Sequence, residues 1–244
     1  MLLLTVCYQN FYLKKMKQPN LLENKIQITF KDKRLLSNIF IHRSYLNENK
    51  GLKLQSNEKL EFLGDSVLSL ITSIYLYKTY QNLEEGDYTD IKSAIVRTES
   101  LATSARTLDL GSYLCLSHGE EKGVGRKNTN ILADCFEALI GAVFLDQGFD
   151  RTYDFVNKHL FADRLDHIVK NKLYLSPKSH LQETAQSRFH TLPVYQVVKQ
   201  VGPDHKKRFT IKVFINAKPF GLAIGMSKKD AEENAAKITL DMLK

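Results

Sequence analysis

The spacing of apolar residues changes once along the chain, and this change restricts the possible folds more than any other feature. From about Asn20 to Asp166, apolar positions recur at the intervals of an amphipathic helix. After Pro177 they alternate, as they do in strands with one buried face. The 244 residues are enough for two ordinary domains. We therefore predict an all-α domain followed by a smaller domain that contains a sheet.

The C-terminal segment has the pattern of a small α+β unit. A short helix is predicted at Ser179–Arg188, and a final helix at Ser227–Leu243 has Ser227 as its N-cap. Between them lie three alternating segments, at Val194–Val198, Phe209–Ile215 and Phe220–Ile224. The order α-β-β-β-α predicts that both helices lie on one face of an antiparallel sheet.

Breaks in these patterns divide the chain into four parts. We predict an N-terminal extension at 1–19, the helical domain at 20–169, a linker at 170–175 and the α+β domain at 176–244. Within the helical domain, the periodic segments are Leu35–Phe40, Leu60–Tyr80, Ile91–Leu108 and Ile131–Leu145. The charged, glycine-rich stretch 119–130 is predicted to be an exposed loop, and it lacks the Gly-Lys-Ser/Thr of a phosphate-binding P-loop.

The positive charge of the chain is concentrated near its C-terminus. The net charge is +8, and residues 176–244 contribute 12 basic against 6 acidic side chains. The remaining 175 residues therefore carry a net charge of only +2. This distribution indicates that the C-terminal domain binds a polyanion.

The cysteines and the apolar segments bear on the location of the protein. Cys7, Cys115 and Cys135 have no spacing typical of zinc or redox sites, which favours a reducing compartment. No apolar run is expected to reach the length of a membrane span, and Met1–Cys7 lacks the basic start of a signal peptide. A cytoplasmic protein without a membrane segment is expected. The first residues are either an extension or precede a true start at Met16.

Two segments concentrate acidic side chains on helical faces. If the first is a helix, Glu58, Glu61 and Asp65 fall within an arc of about 60°. In the second segment, Asp134 and Glu137 share one side of a helix, and the small residues Ala138 and Gly141 leave room beside them. Carboxylates at such spacing suit Mg²⁺ or Mn²⁺, whereas an ordinary solvated helix face is the alternative. The spacing does not establish that the two helices meet.

The residues around these acids resemble those of a known family. Asn57-Glu-Lys-Leu-Glu-Phe-Leu-Gly-Asp-Ser-Val-Leu68 is similar, almost residue for residue, to the signature of the ribonuclease III family. Further matches are His42-Arg-Ser-Tyr45, Glu85-Gly86, Leu101-Ala102, Gly119-Glu-Glu-Lys122, Ile131-Leu-Ala-Asp134 and Glu137-Ala-Leu-Ile-Gly141. Residues 176–244 resemble a double-stranded-RNA-binding domain. The resemblance implies a helical catalytic domain followed by that RNA-binding domain.

The resemblance also implies a reaction and roles for the acids. By similarity, Glu61, Asp65, Asp134 and Glu137 are the catalytic, metal-binding acids, and Glu58 is a further signature carboxylate with a less direct role. The implied enzyme is a homodimeric endoribonuclease that uses two metal ions, Mg²⁺ or in substitution Mn²⁺, and no organic cofactor. It would leave a 5′-phosphate and a short 3′ overhang and would process ribosomal, messenger and other structured RNA precursors. The family pairs near Phe62-Leu63, whose alternative role is core packing.

The C-terminal domain contains candidate RNA contacts in three places. Gln182, Glu183 and Gln186 in the first helix can hydrogen-bond 2′-hydroxyls and base edges in a minor groove. His205, in Gly202-Pro-Asp-His205, could reach a second minor groove. Lys228 and Lys229 lie at a helix N-terminus, where they oppose the helix dipole and suit a phosphate.

Two alternatives concern the chemistry. His42 and Ser44 suggest a base and a nucleophile, but no third partner is indicated, and a structural histidine is the preferred interpretation. The alternative to an endonuclease is a scaffold that binds duplex RNA without cutting it. A scaffold would have no reason to keep all four predicted metal ligands.

Overall fold

The computed structural model describes residues 19–203 and 206–244. The chain forms two compact units, with the division between His167 and Ile168. The predicted boundaries at 19/20, 169/170 and 175/176 stay predictions, although the division falls close to the second of them.

The secondary structure of the first unit is helical over its described residues, apart from connecting turns and loops and an isolated bridge between Ile41 and Cys115. The helices that bear on the site are the long α4 and α8, which form the centre of the unit. In chain order the helices are α1 (Pro19–Ile26), α2 (Lys33–Asn38), α3 (Arg43–Glu48), α4 (Glu58–Thr79), α5 (Glu85–Val96), α6 (Thr98–Thr107), α7 (His118–Lys122), α8 (Thr129–Gln147), α9 (Phe149–Val156) and α10 (Ala162–Lys170).

Helix α8 is the core of this unit. Its apolar side chains are buried around most of its circumference, including Phe136, Leu139 and Ile140. Helices α4 and α6 pack against it. A helix that is apolar on nearly all sides requires several neighbours, and α9 and α2 also contact α8.

One periodic segment of this unit is divided, and one local prediction was wrong. The segment Ile91–Leu108 is helical as predicted, but it forms two helices because the backbone is extended at Arg97 (φ −61°, ψ 148°). Periodicity missed the break because buried residues on both sides of it face the same core. The stretch 119–130 is not simply a loop, since helix α7 lies across its start and Gly125 is buried.

Helix α4 has 22 residues and is apolar enough on average to qualify as a membrane span by length and composition. It is not an uninterrupted apolar run, because Glu61 and Asp65 lie within it. The test is weak evidence, because core helices of soluble proteins also pass it. In this structure Leu68, Ile71 and Leu76 of α4 are buried within the helical unit.

The second unit has the predicted α-β-β-β-α order. Helix α11 (Pro177–Phe189) precedes strands β1 (Val194–Val201), β2 (Arg208–Ile215) and β3 (Lys218–Gly225), and α12 (Lys228–Met242) follows. The strands form an antiparallel sheet in the order β1-β2-β3. The predicted fold class, an all-α domain followed by a small α+β domain, is confirmed.

One side of the sheet packs on both helices. The core of the unit consists of Leu181, Ala185, Ile211, Val213, Ile215, Ala223, Ala231, Ala235 and Ala236. Small residues on α12 allow it to approach β3 closely, so that an added Cβ on Gly221 would lie 2.6 Å from the Ala235 carbonyl oxygen. The outward sides of α11 and of the start of α12 remain exposed to solvent.

Candidate metal centre and nucleic-acid interface

Helices α4 and α8 cross in backbone contact at two glycines. A Cβ atom on Gly64 would lie 1.9 Å from the carbonyl oxygen of Glu137, and one on Gly141 would lie 2.2 Å from that of Leu60. Neither distance leaves space for a side chain. This contact answers the question that helical spacing left open, because it brings the two acidic segments together.

Three carboxylates converge beside this crossing. Glu61 lies one turn before Gly64 on α4, and Asp134 and Glu137 lie on α8. One carboxylate oxygen from each of the three lies within 4.8 Å of the others. All three side chains are partly buried. Asp65 follows Gly64 on α4 and is more exposed, outside this group of three.

Burial and mutual repulsion raise the pKa values of these acids. Burial raises the pKa of Glu137 to about 8, and the charges of Asp65, Asp134 and Glu61 add to the effect. The pKa of Glu61 is raised first by burial and then by Asp134 and Glu58. Burial also raises the pKa of Asp134. Each negative charge therefore disfavours the others, and a positive charge placed among them would relieve the cost.

The donor set fits a hard divalent cation. It consists of carboxylate oxygens on two rigid helices, the ligands that Mg²⁺ and Mn²⁺ take in preference to nitrogen or sulfur. Asp65 exerts the largest charge effect on the pKa of Glu137, which places it near the group of three. The acidic cluster, defined as Glu61, Asp65, Asp134 and Glu137, is therefore a candidate metal centre.

The predicted RNA contacts on α11 share one exposed face. Gln182, Glu183 and Gln186 are exposed, whereas Leu181 and Ala185 on the opposite side are buried. Glu183 forms an ion pair with Lys172. An amide–carboxylate–amide surface of this kind can exchange hydrogen bonds with 2′-hydroxyl groups.

The second candidate contact lies at the start of α12. Ser227 caps this helix by accepting a hydrogen bond from the Asp230 backbone (3.1 Å). Lys228 and Lys229 follow at the exposed N-terminus, and the Lys228 Nζ atom lies 6.0 Å from the Phe209 ring centre. His205 lies outside the described residues, so its predicted role stays a prediction.

Comparisons with known proteins agree with both halves of this arrangement. Residues 32–164, more than half of the chain, match the ribonuclease-III-like family, and residues 177–243 match the double-stranded RNA binding motif. The chain belongs to the ribonuclease III family.

Individual relatives give the same result. The chain is 41% identical to ribonuclease 3 of Oceanobacillus iheyensis over 222 residues, which cover 91% of this chain and 96% of that protein. It is 44% identical to ribonuclease 3 of Fusobacterium nucleatum over 217 residues, covering 88% and 92% respectively. The chain also resembles a solved structure of the nuclease domain of ribonuclease III from Campylobacter jejuni, with a TM-score of 0.53 at 36% identity. That structure was described for its flexibility in a region involved in dimer formation. That match covers 57% of this chain and 93% of the domain.

These matches confirm the family and the enzyme class, a double-stranded-RNA endoribonuclease, that the sequence predicted. The family depends on a metal, and the acidic cluster provides a site for one. The roles of individual residues in this ribonuclease III stay predictions, and the structure shows where each of those described lies.

Glu58 lies apart from the group of three carboxylates. Its carboxylate accepts a hydrogen bond from the Ser56 hydroxyl (2.7 Å) and lies 3.6 Å from the Arg43 guanidinium. Glu58 still acts on the cluster through its charge, which helps raise the pKa of Glu61. Its less direct role stays a prediction.

His42 and Arg43 both have places beside the cluster. His42 is the N-cap of α3, and its Nδ1 atom accepts from the Ser44 backbone at 3.3 Å. The sequence did not single out Arg43, whose charge lowers the pKa values of Glu61 and Asp134. The motif His42-Arg-Ser-Tyr45 contained the signal, because it places a cationic side chain next to His42.

Proposed function

We propose that this ribonuclease III hydrolyses phosphodiester bonds of double-stranded RNA at the acidic cluster by a two-metal mechanism. The observation that supports this proposal most strongly is the convergence of Glu61, Asp134 and Glu137 at the glycine crossing of α4 and α8. Asp65, one turn along α4, completes the proposed ligand set.

Mg²⁺ is the proposed metal, with Mn²⁺ as a substitute. Bound divalent ions supply an activated water and stabilise the charge on the departing oxygen. Helices α4 and α8 hold the carboxylates in place before substrate arrives, because their backbones are in contact at Gly64 and Gly141 and the two helices have little freedom to move relative to one another. Arg43 and the partly buried surroundings set how strongly the carboxylates repel one another.

We further propose that the catalytic domain forms a homodimer along α4. The outward side of this helix exposes Phe62 (77%), Leu70 (53%) and Tyr77 (73%). The core-packing alternative for Phe62 is wrong, since its side chain lies largely in solvent. A stripe of large apolar side chains of this kind on a soluble enzyme indicates an interface. Pairing there would bring two acidic clusters to one duplex.

The second unit would hold the duplex by its shape. The exposed face of α11 would contact a minor groove, and Lys228 and Lys229 would contact phosphates across the major groove. The net charge of +6 on residues 176–244 supports this role. The proposed products carry a 5′-phosphate and a short 3′ overhang, and the proposed substrates are structured RNA precursors in the cytoplasm.

Cleavage of a long RNA duplex with Mg²⁺, by the parent and by Glu137→Gln, tests the function. The substitution keeps the shape of the side chain and removes one charged ligand. The parent should cut duplex RNA but not single-stranded RNA, whereas Glu137→Gln should bind duplex and cut at least about 100-fold more slowly. The control is Glu99→Gln on α6, which removes a carboxylate whose ion pair with Arg106 is exposed and contributes little.

The scaffold alternative predicts a different outcome. If the parent and both variants bind duplex RNA equally and none cuts with Mg²⁺ or Mn²⁺, the chain is a binding protein and the nuclease proposal fails. If Glu137→Gln cuts as fast as Glu99→Gln, the nuclease stands but Glu137 is not a ligand.

A further inference from the structure

The turn that follows α10 is an ordered part of the second unit. The backbone N–H of Lys172 donates to the Val169 carbonyl (3.1 Å), and that of Leu173 donates to the Ile168 carbonyl (2.9 Å). Lys172 itself has a left-handed backbone (φ 50°). These two hydrogen bonds around a left-handed residue form a Schellman motif, which ends α10 and fixes the backbone from which the Lys172 side chain extends.

The Lys172 side chain reaches the exposed face of α11. Its Nζ atom forms an ion pair with Oε2 of Glu183, which lies between Gln182 and Gln186 among the predicted RNA contacts. The two paired side chains are 49% and 45% exposed. An ion pair this exposed contributes little to folding, so its main consequence concerns what the face binds.

The carboxylate of Glu183 has two opposite effects on a surface that approaches RNA. Its oxygens can accept a hydrogen bond from a 2′-hydroxyl, but its negative charge repels the phosphates that border the groove. The ammonium group of Lys172 offsets this charge. The pair involves Oε2, so Oε1 is the oxygen that remains to accept from RNA.

We propose that Lys172 is a positioning residue for duplex RNA, because it neutralises Glu183 and holds the carboxylate so that Oε1 accepts from a 2′-hydroxyl. This inference rests on the RNA-binding face proposed above and adds a residue outside it. Lys172 acts through Glu183 and not through a phosphate. Because DNA lacks the 2′-hydroxyl, the pair favours RNA over DNA.

Single and double variants separate this role from a direct phosphate contact. Lys172→Gln removes the charge, and Lys172→Asn removes it with a residue that suits a left-handed helix end. Lys172→Arg keeps the charge. Glu183→Gln keeps the shape of the side chain without its charge, alone and combined with Lys172→Gln. The control for the loss of one positive charge is Lys237→Gln, at an exposed position of α12.

The measurement is fluorescence anisotropy of the full chain in EDTA, with an RNA duplex and a DNA duplex of the same sequence, over a range of salt concentrations. Lys172→Gln and Lys172→Asn should bind RNA about 5-fold more weakly than Lys237→Gln, the loss expected for about one hydrogen bond. Lys172→Arg should stay within about 2-fold of the parent. On DNA, Lys172→Gln should match Lys237→Gln.

The double variant gives the decisive comparison. In the Glu183→Gln background, Lys172→Gln should weaken RNA binding no more than Lys237→Gln weakens that of the parent, because the group that Lys172 positions is absent. Should Lys172→Gln lower the Tm by more than about 2 °C, the same comparison is made with Lys172→Asn.

Three other outcomes would count against the proposal in different ways. A 5-fold loss that persists in the Glu183→Gln background, with a salt slope lower by about 1, would assign Lys172 a direct phosphate contact and overturn its positioning role. Binding by both neutral Lys172 variants equal to that of Lys237→Gln would overturn it as well. If Gln182→Ala and Glu183→Gln both bind RNA like the parent, the proposed α11 face itself fails.

Discussion

The acidic cluster differs in construction from the proposed RNA-binding face, which consists of Gln182, Glu183 and Gln186 on α11 with Lys228 and Lys229 on α12. The cluster depends on backbone contact between two helices and holds partly buried like charges. The face of α11 and the start of α12 consist of exposed side chains on helices whose other sides are packed. The proposed chemistry therefore depends on tertiary structure, where a single added Cβ atom would meet backbone atoms. The proposed RNA contacts are separate surface groups that do not depend on such a crossing.

The largest expected effect comes from adding one methyl group at the helix crossing. Gly64→Ala places a Cβ 1.9 Å from the Glu137 carbonyl, so the helices must separate. We expect a loss of about 2–3 kcal/mol in the free energy of unfolding, together with loss of cleavage. Gly86→Ala is the control, because a Cβ there meets nothing within 4 Å. Urea denaturation curves that coincide for both variants would contradict the backbone contact.

The next effect concerns the pH dependence of stability without metal. The pKa of Glu137 is about 8 in the folded chain and near its ordinary value of 4.5 when unfolded. Between pH 4.5 and pH 8 the folded state keeps a proton that the unfolded state has lost. The free energy of unfolding therefore falls as the pH rises through this range. Glu137→Gln has no such group and should exceed the parent Tm in EDTA by about 5 °C at pH 8, with little difference at pH 5.

Calorimetry of the parent, Glu137→Gln and the control Glu99→Gln between pH 5 and pH 9 measures this effect. Mg²⁺ should raise the Tm of the parent at pH 8 and change that of Glu137→Gln much less. Equal Tm profiles for all three proteins would mean that the charges of the cluster are already compensated.

A smaller effect is expected at the N-terminus of α12. Replacing Lys228 and Lys229 with alanine should weaken duplex RNA binding and reduce the slope of log affinity against log salt by about 2. The Tm should be unchanged or slightly higher, since both lysines oppose the helix dipole. Lys237→Ala, further along the same helix, is the control in fluorescence-anisotropy titrations. An unchanged salt slope would remove these lysines from the interface.

The smallest effect distinguishes RNA from DNA. Gln182→Ala should cost about 1 kcal/mol in binding to duplex RNA, because it loses hydrogen bonds to 2′-hydroxyls. Binding to duplex DNA of the same sequence should be unaffected. The comparison uses anisotropy at one salt concentration, and an equal loss for both duplexes would assign Gln182 a general contact instead.

Much of the architecture could be read from local patterns. The change of apolar period predicted both domains, and Ser227 marked the start of α12 as expected. The break at Arg97 could not be read, because the helices on either side contribute to one core and their buried positions stay nearly in phase. Helix α7 was missed because five residues are too few for a period to show.

The sequence by itself determined on which face of each helix the acidic residues lie. Helical geometry grouped Glu58, Glu61 and Asp65, and separately Asp134 and Glu137, from their spacing alone. Only the tertiary structure decided that these two groups meet, that Glu58 turns toward Arg43, and that Phe62 faces solvent. The reason is physical: spacing acts within a helix, whereas the crossing depends on two glycines about 80 residues apart that allow the backbones to touch.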